Sequence, residues 1–153
     1  MGRYVAPFVD LRLTDADEAG GKGANLGELV AARLPVPPGF VILRSCYEQV
    51  VAHGPHGAEL DRLHTAALAA VGDEPRIAEQ CATMRDLVRD TPFDASIREM
   101  ILSEYHDLGE NARVAVRSSA VGEDSATASF AGMNLTRTNV CGDEDLLAAV
   151  IDC

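Results

Sequence analysis

Lys22 is the only lysine in the chain, and the other twelve basic residues are arginines. It lies between glycines in Gly20-Gly-Lys-Gly-Ala-Asn-Leu-Gly27. Glycine admits positive φ and lets another group come close. A small-residue loop running into a helix turns unpaired N–H groups and a positive dipole end outward, which suits an anion. A lysine beside it adds a mobile point charge matched to phosphate oxygens. An ordinary strand-to-helix turn would use the same residue types. The stretch is not a Walker A loop, because Gly23 follows the lysine where Ser or Thr is required and Ala16 stands where the first glycine should be. The spacing of Gly21, Gly23 and Gly27 does not fit a dinucleotide fingerprint either.

The second concentration of chemistry is Arg113-Val-Ala-Val-Arg-Ser-Ser119. Its alternation predicts a strand with Val114 and Val116 on one face and Ala115 and Arg117 on the other. Arg117 stands at the strand end, where it either pairs with a carboxylate or faces an anionic ligand. Ser118 and Ser119 offer hydroxyl donors beside it. A small-residue loop follows from Ala120 to Ala128, carrying Glu123 and Asp124. Ser129-Phe-Ala-Gly132 then leads into a predicted strand over 133–140, with Thr136, Thr138 and Val140 on one face. A strand, small-residue loop and strand can fold over phosphates, with Gly132 admitting close backbone approach; a surface hairpin has the same outline.

These stretches need a scaffold. An edge strand is expected within 4–13, because Pro7 cannot donate to a ladder. Helix is expected from about Ala24 to Arg33, with Leu26, Leu29 and Val30 on one face. Pro35, Pro37 and Pro38 then force an extended path into a short apolar strand, Phe40–Leu43, expected to be buried on both faces. Ser45 and Glu48 read as a capping box opening a short helix. Apolar residues recur at helical spacing over 58–71, 75–89 and 94–108, and these stripes are expected to be core packing rather than a cofactor box. A last helix starts at Asp143-Glu144-Asp145, acids suited to a helix N-terminus.

Composition narrows the function classes. The chain has 153 residues, enough for one domain with a sizeable core, and 47% of them are hydrophobic. The net charge of −11 argues against nucleic acid and anionic membrane as partners. A polyphosphate would have to be held by a few placed cations, not by a diffuse field. No apolar run approaches the length of a membrane span, and the N-terminus lacks a signal-peptide core, so a cytoplasmic location is expected. Cys46, Cys81, Cys141 and Cys153 form no Cys-x-x-Cys motif and read as free thiols, several of them in the core. His53, His56, His64 and His106 complete no familiar ligand spacing, so no metal site is assigned.

Two separated stretches together carry a resemblance. Gly20–Leu29 followed by Val36-Pro-Pro-Gly-Phe40 resembles the start of the pyruvate phosphate dikinase and phosphoenolpyruvate synthase family. Val116-Arg-Ser-Ser-Ala120, then Glu123-Asp124, then Ser129-Phe-Ala-Gly132 resembles its nucleotide loop, in the same order and spacing. Rifampicin phosphotransferases share this region. The resemblance implies an α/β (α+β) fold, the N-terminal lobe of an ATP-grasp domain over residues 1–153, with a mixed sheet and several helices. It implies ATP as ligand: Lys22 and Arg117 at the triphosphate, Gly132 approaching it through its backbone, and Thr136 on the neighbouring strand. In such a family the phosphoryl group passes to a histidine on a swivelling domain, then to pyruvate or an antibiotic hydroxyl. The chain also departs from the family pattern. The second lobe, with the adenine pocket and acidic Mg²⁺ ligands, and the phosphohistidine domain are expected to lie outside residues 1–153, and relatives commonly carry Leu-Pro after the acid at Asp124. None of the four histidines matches a catalytic motif. The expectation is an ATP-binding half that needs a second lobe or partner chain, is inactive alone, and exposes an apolar face. The alternative is a non-catalytic nucleotide- or protein-binding module derived from that lobe.

Overall fold

The computed structural model describes residues 3–119 and 134–153. Strand β1 (Val5–Pro7) pairs antiparallel with β2 (Phe40–Ile42), Val5 opposite Ile42 and Pro7 opposite Phe40. Between them the chain makes two 3₁₀ turns, Phe8–Asp10 and Leu13–Asp15, and helix α1 (Ala16–Ala31). A buried cluster of Ala6, Leu11, Ala19 and Leu43, flanked by Phe8 and Val41, binds these pieces together. The expectation that β2 is buried on both faces fails. All three of its residues are half-buried, and among the described residues β1 is its one partner strand.

Helix α1 ends in a Schellman motif. Arg33 takes left-handed backbone (φ 59), its N–H donates to the Val30 carbonyl, and the Leu34 N–H donates to Leu29. Glycine is the usual residue there because it carries no Cβ penalty. Arg33→Gly is therefore expected to raise stability by about 1 kcal/mol, seen as a higher urea midpoint with an unchanged slope. An unchanged or lower midpoint would contradict this reading of the cap.

Helix α2 (Arg44–Tyr47) runs into a π-helical turn at Glu48–Ala52. Ser45 does not form the expected capping box with Glu48. Its N–H donates to the Glu18 carboxylate (3.2 Å) and its hydroxyl donates to the Arg3 carbonyl (3.0 Å). A carboxylate from α1 thus does the capping that a residue downstream was expected to do.

The chain divides into two compact units, one of Met1–Cys46 with Ala95–Cys153 and the other of Tyr47–Asp94. The second unit is built on a helical hairpin of α3 (Gly57–Ala69) and α4 (Glu74–Arg89). Gly72 turns the connection at φ 100, and Asp73 caps α4 by accepting from the Arg76 N–H (3.3 Å), with Pro75 in the first turn. The apolar stripes over 58–71 and 75–89 fall on this hairpin, but they pack only in part: no residue of α4 is fully buried, and Leu68 and Val71 are exposed.

The first unit resumes with α5 (Ala95–Asp107), the antiparallel pair β3 (Val114–Arg117) and β4 (Thr136–Val140), and α6 (Asp143–Asp152). Ile97 and Ile101 of α5 are fully buried. Buried Tyr105 fastens α5 to both neighbours. Its hydroxyl donates to the Ala112 carbonyl (2.7 Å) before β3 and accepts from the Gly142 N–H (2.9 Å) at the start of α6. Tyr105→Phe leaves both backbone groups without that partner. It is expected to cost about 1–3 kcal/mol, measured by urea unfolding; a cost near zero would mean other groups satisfy them.

The architecture is α+β. The sheet content is two separate two-stranded antiparallel sheets among the described residues, not the single mixed sheet expected. Of the four thiols, Cys46 is buried and the other three are half-buried, so one cysteine rather than several belongs to the core. Burial pushes the Cys46 thiol up to about 11. Val9, Leu13 and Leu34 in the first unit are each more than half exposed.

Candidate functional site

The lysine stretch is helical, not a loop. Helix α1 is interrupted at Gly20 (φ 69, ψ 165) and resumes at Gly21, three residues earlier than expected. That backbone conformation is essentially open to glycine alone. Lys22 therefore stands in the first turn of the resumed segment, beside the positive end of its dipole. It is half-buried. The later glycines of the stretch serve packing. A Cβ at Gly23 would come 2.8 Å from the Val41 side chain, and one at Gly27 would run into the Leu11 carbonyl. The helix can lie against the β1–β2 segment because these positions carry no side chain. The carboxylates of Glu18 and Glu28 each accept from a backbone amide: Glu18 from the Ser45 N–H (3.2 Å) and Glu28 from the Leu13 N–H (2.9 Å).

Arg117 ends β3 on the face that β3 leaves open. Val114 and Val116 are half-buried, whereas Ala115 and Arg117 are exposed. Among the described residues no ion pair or side-chain hydrogen bond engages the Arg117 guanidinium. The carboxylate partner that sequence left open is thus not found there. Thr136 lies directly opposite Arg117 across the ladder, so the two side chains share a face.

The expected grouping of Thr136, Thr138 and Val140 on one face is incorrect. Val140 pairs with Val114, but Arg137 pairs with Val116, so β4 spends three residues where β3 spends two. This bulge reverses the alternation. Val140 is buried and Thr136 is turned to the other side with Arg117. Arg137, sharing the Val116 face, reaches Asp152 of α6 (2.7 Å).

The two serines separate in role. Ser118 closes the mouth of the hairpin: its N–H donates to the Leu135 carbonyl (3.0 Å) and its hydroxyl accepts from the Leu135 N–H (2.8 Å). That hydroxyl belongs to the scaffold, not to a ligand as expected. Ser119 is exposed and lies against Gly20. A Cβ built at Gly20 would overlap the Ser119 hydroxyl and come 3.1 Å from its Cβ. Two motifs nearly a hundred residues apart therefore meet, with Lys22 two residues beyond one side of the contact and Arg117 two residues before the other. Sequence singled out both stretches but gave no sign that Gly20 and Ser119 touch. Gly132 lies outside the described residues.

Cationic and hydroxyl side chains fit the oxygens of a phosphate chain. Among the described residues no group of three His, Cys, Asp or Glu could hold a metal ion. Among the same residues no helix is long and apolar enough to cross a membrane.

Comparison with known proteins agrees with this chemistry. A family model described as "Pyruvate phosphate dikinase, AMP/ATP-binding domain" matches residues 16–153. The chain belongs to this family. A probable phosphoenolpyruvate synthase of Methanothermobacter thermautotrophicus is 37% identical over 159 residues, covering 100% of this chain and 23% of the relative. A rifampicin phosphotransferase of a Streptomyces species is 36% identical over 154 residues, covering 99% of this chain and 18% of the relative. One of Bacillus cereus is 33% identical over 154 residues, covering 100% and 18%. The chain thus spans about a fifth of the length of these relatives.

Proposed function

We infer that this chain is the N-terminal lobe of an ATP-grasp nucleotide-binding domain and holds the triphosphate of ATP. Lys22 supplies a charge at the helix end, Arg117 supplies the forked guanidinium, the Gly132 backbone approaches the phosphates, and Thr136 stands beside Arg117 on the next strand. The observation that carries the reading is the contact of Gly20 with Ser119, which brings the Lys22 and Arg117 stretches to one place. Phosphoryl transfer asks for positioning and charge neutralisation more than covalent participation, and these residue types provide both.

A second lobe, in another segment or a partner chain, completes the cleft. It contributes the adenine pocket and the carboxylates that hold Mg²⁺. The phosphoryl group then passes through a histidine outside residues 1–153 to pyruvate or to an antibiotic hydroxyl, the two acceptor types suggested by the relatives' names. The chain works in the cytoplasm and transfers no phosphoryl group alone.

Calorimetric titration with ATP tests the binding role. Lys22→Ala is expected to weaken the affinity about tenfold, the size of one hydrogen bond to a charged group. Equal affinity in wild type and variant would remove Lys22 from the site. Turnover of MgATP by the purified chain, lost in Lys22→Ala, would overturn the claim that this lobe is inactive alone.

A further inference from the structure

We propose that Asn139 is a positioning residue: its left-handed backbone sets the register that places Thr136, rather than Arg137, opposite Arg117. This inference rests on the nucleotide site proposed above. Asn139 sits inside β4 at φ 61, and Arg113 Nη1 donates to its side-chain oxygen (2.8 Å). Asparagine tolerates that region better than most residues, and a β-branched residue there is a true outlier. Residues 138 and 139 together oppose Ala115, which is why Val140 keeps Val114 while Arg137 moves to Val116.

The alternative register shows what the bulge accomplishes. With regular pairing continued from Val114 and Val140, Arg137 would fall opposite Arg117 and Thr136 opposite Ser118. Two guanidinium groups would then face each other across the ladder, a repulsive pair. The Arg137–Asp152 ion pair would lose its geometry, and Ser118 could not close the hairpin through Leu135. The bulge avoids all three consequences. It leaves Arg117 beside a hydroxyl and turns the second arginine towards α6.

Removing residue 139 altogether also preserves the pairing, because 140 with 114, 138 with 115, 137 with 116 and 136 with 117 is then a regular ladder. The test uses the full chain with Asn139→Val, Asn139→Gly and deletion of residue 139. It reads ATP affinity by calorimetry and cross-strand NMR contacts between Arg117 and Thr136. Asn139→Val is expected to lose the Arg117–Thr136 contacts and bind ATP about tenfold or more weakly. Asn139→Gly and the deletion are expected to keep the contacts and stay within about threefold of wild type, since both relieve the positive-φ demand. Intact contacts in Asn139→Val, or lost contacts in both Asn139→Gly and the deletion, would overturn the proposal. If no variant nor the wild type binds ATP while the contacts respond as described, the register role stands and the nucleotide reading falls.

Discussion

Gly20→Ala is expected to destabilise the chain by about 3 kcal/mol or more and to abolish measurable ATP binding. Two separate penalties combine. The backbone at φ 69, ψ 165 lies in a region that costs an L-residue about 1–3 kcal/mol. The added methyl would also overlap the Ser119 side chain, and overpacking of that kind costs about 1–3 kcal/mol more. The Ser119 side chain can rotate, but the backbone of α1 cannot easily change its kink. Gly20→Ala combined with Ser119→Gly should therefore remove the overlap and leave the backbone penalty. Urea unfolding of the four chains measures both parts. A Gly20→Ala chain as stable as wild type would mean that the kink is not what positions Lys22.

Arg117→Ala should act on the ligand without acting on the fold. The side chain is exposed, and among the described residues it meets no carboxylate, so its loss should change stability by no more than about 0.5 kcal/mol. On the proposed reading it makes charge-assisted bonds to phosphate, of a kind worth about 1.5–3 kcal/mol, so ATP affinity should fall about ten- to a hundredfold. Arg117→Lys should recover only part of this, because an ammonium group keeps the charge but not the fork. Loss of stability in Arg117→Ala without loss of affinity would make the arginine structural.

Much of the scaffold was legible in the residues. The apolar stripes of α3, α4 and α5 repeat at helical spacing, and each helix appears where its stripe lies. The alternation around Val114 and Val116 marked β3, and it correctly set Arg117 on the opposite face. The failures came where tertiary contact decided the outcome. Glycine content made 20–23 resemble a loop, but close packing against Val41 explains Gly23 inside a helix. Ser45 and Glu48 had the spacing of a capping box, but Glu18, distant in sequence, took the amide. The face of Thr136 was misassigned because a period of two carries no mark of an inserted residue; Asn139 was the one local hint. The meeting of Gly20 with Ser119 joins residues too far apart for any local pattern to reveal.

The central claim is that the Lys22 and Arg117 stretches form one nucleotide site. Titrating ATP into the isotope-labelled chain and following its amide resonances tests this most directly. Gly20 to Gly23, Arg117, Ser119 and Thr136 are expected to shift together along one saturation curve, and Arg117→Ala to weaken the response at Lys22 as well. Shifts confined to one stretch, or two stretches saturating at different concentrations, would contradict it.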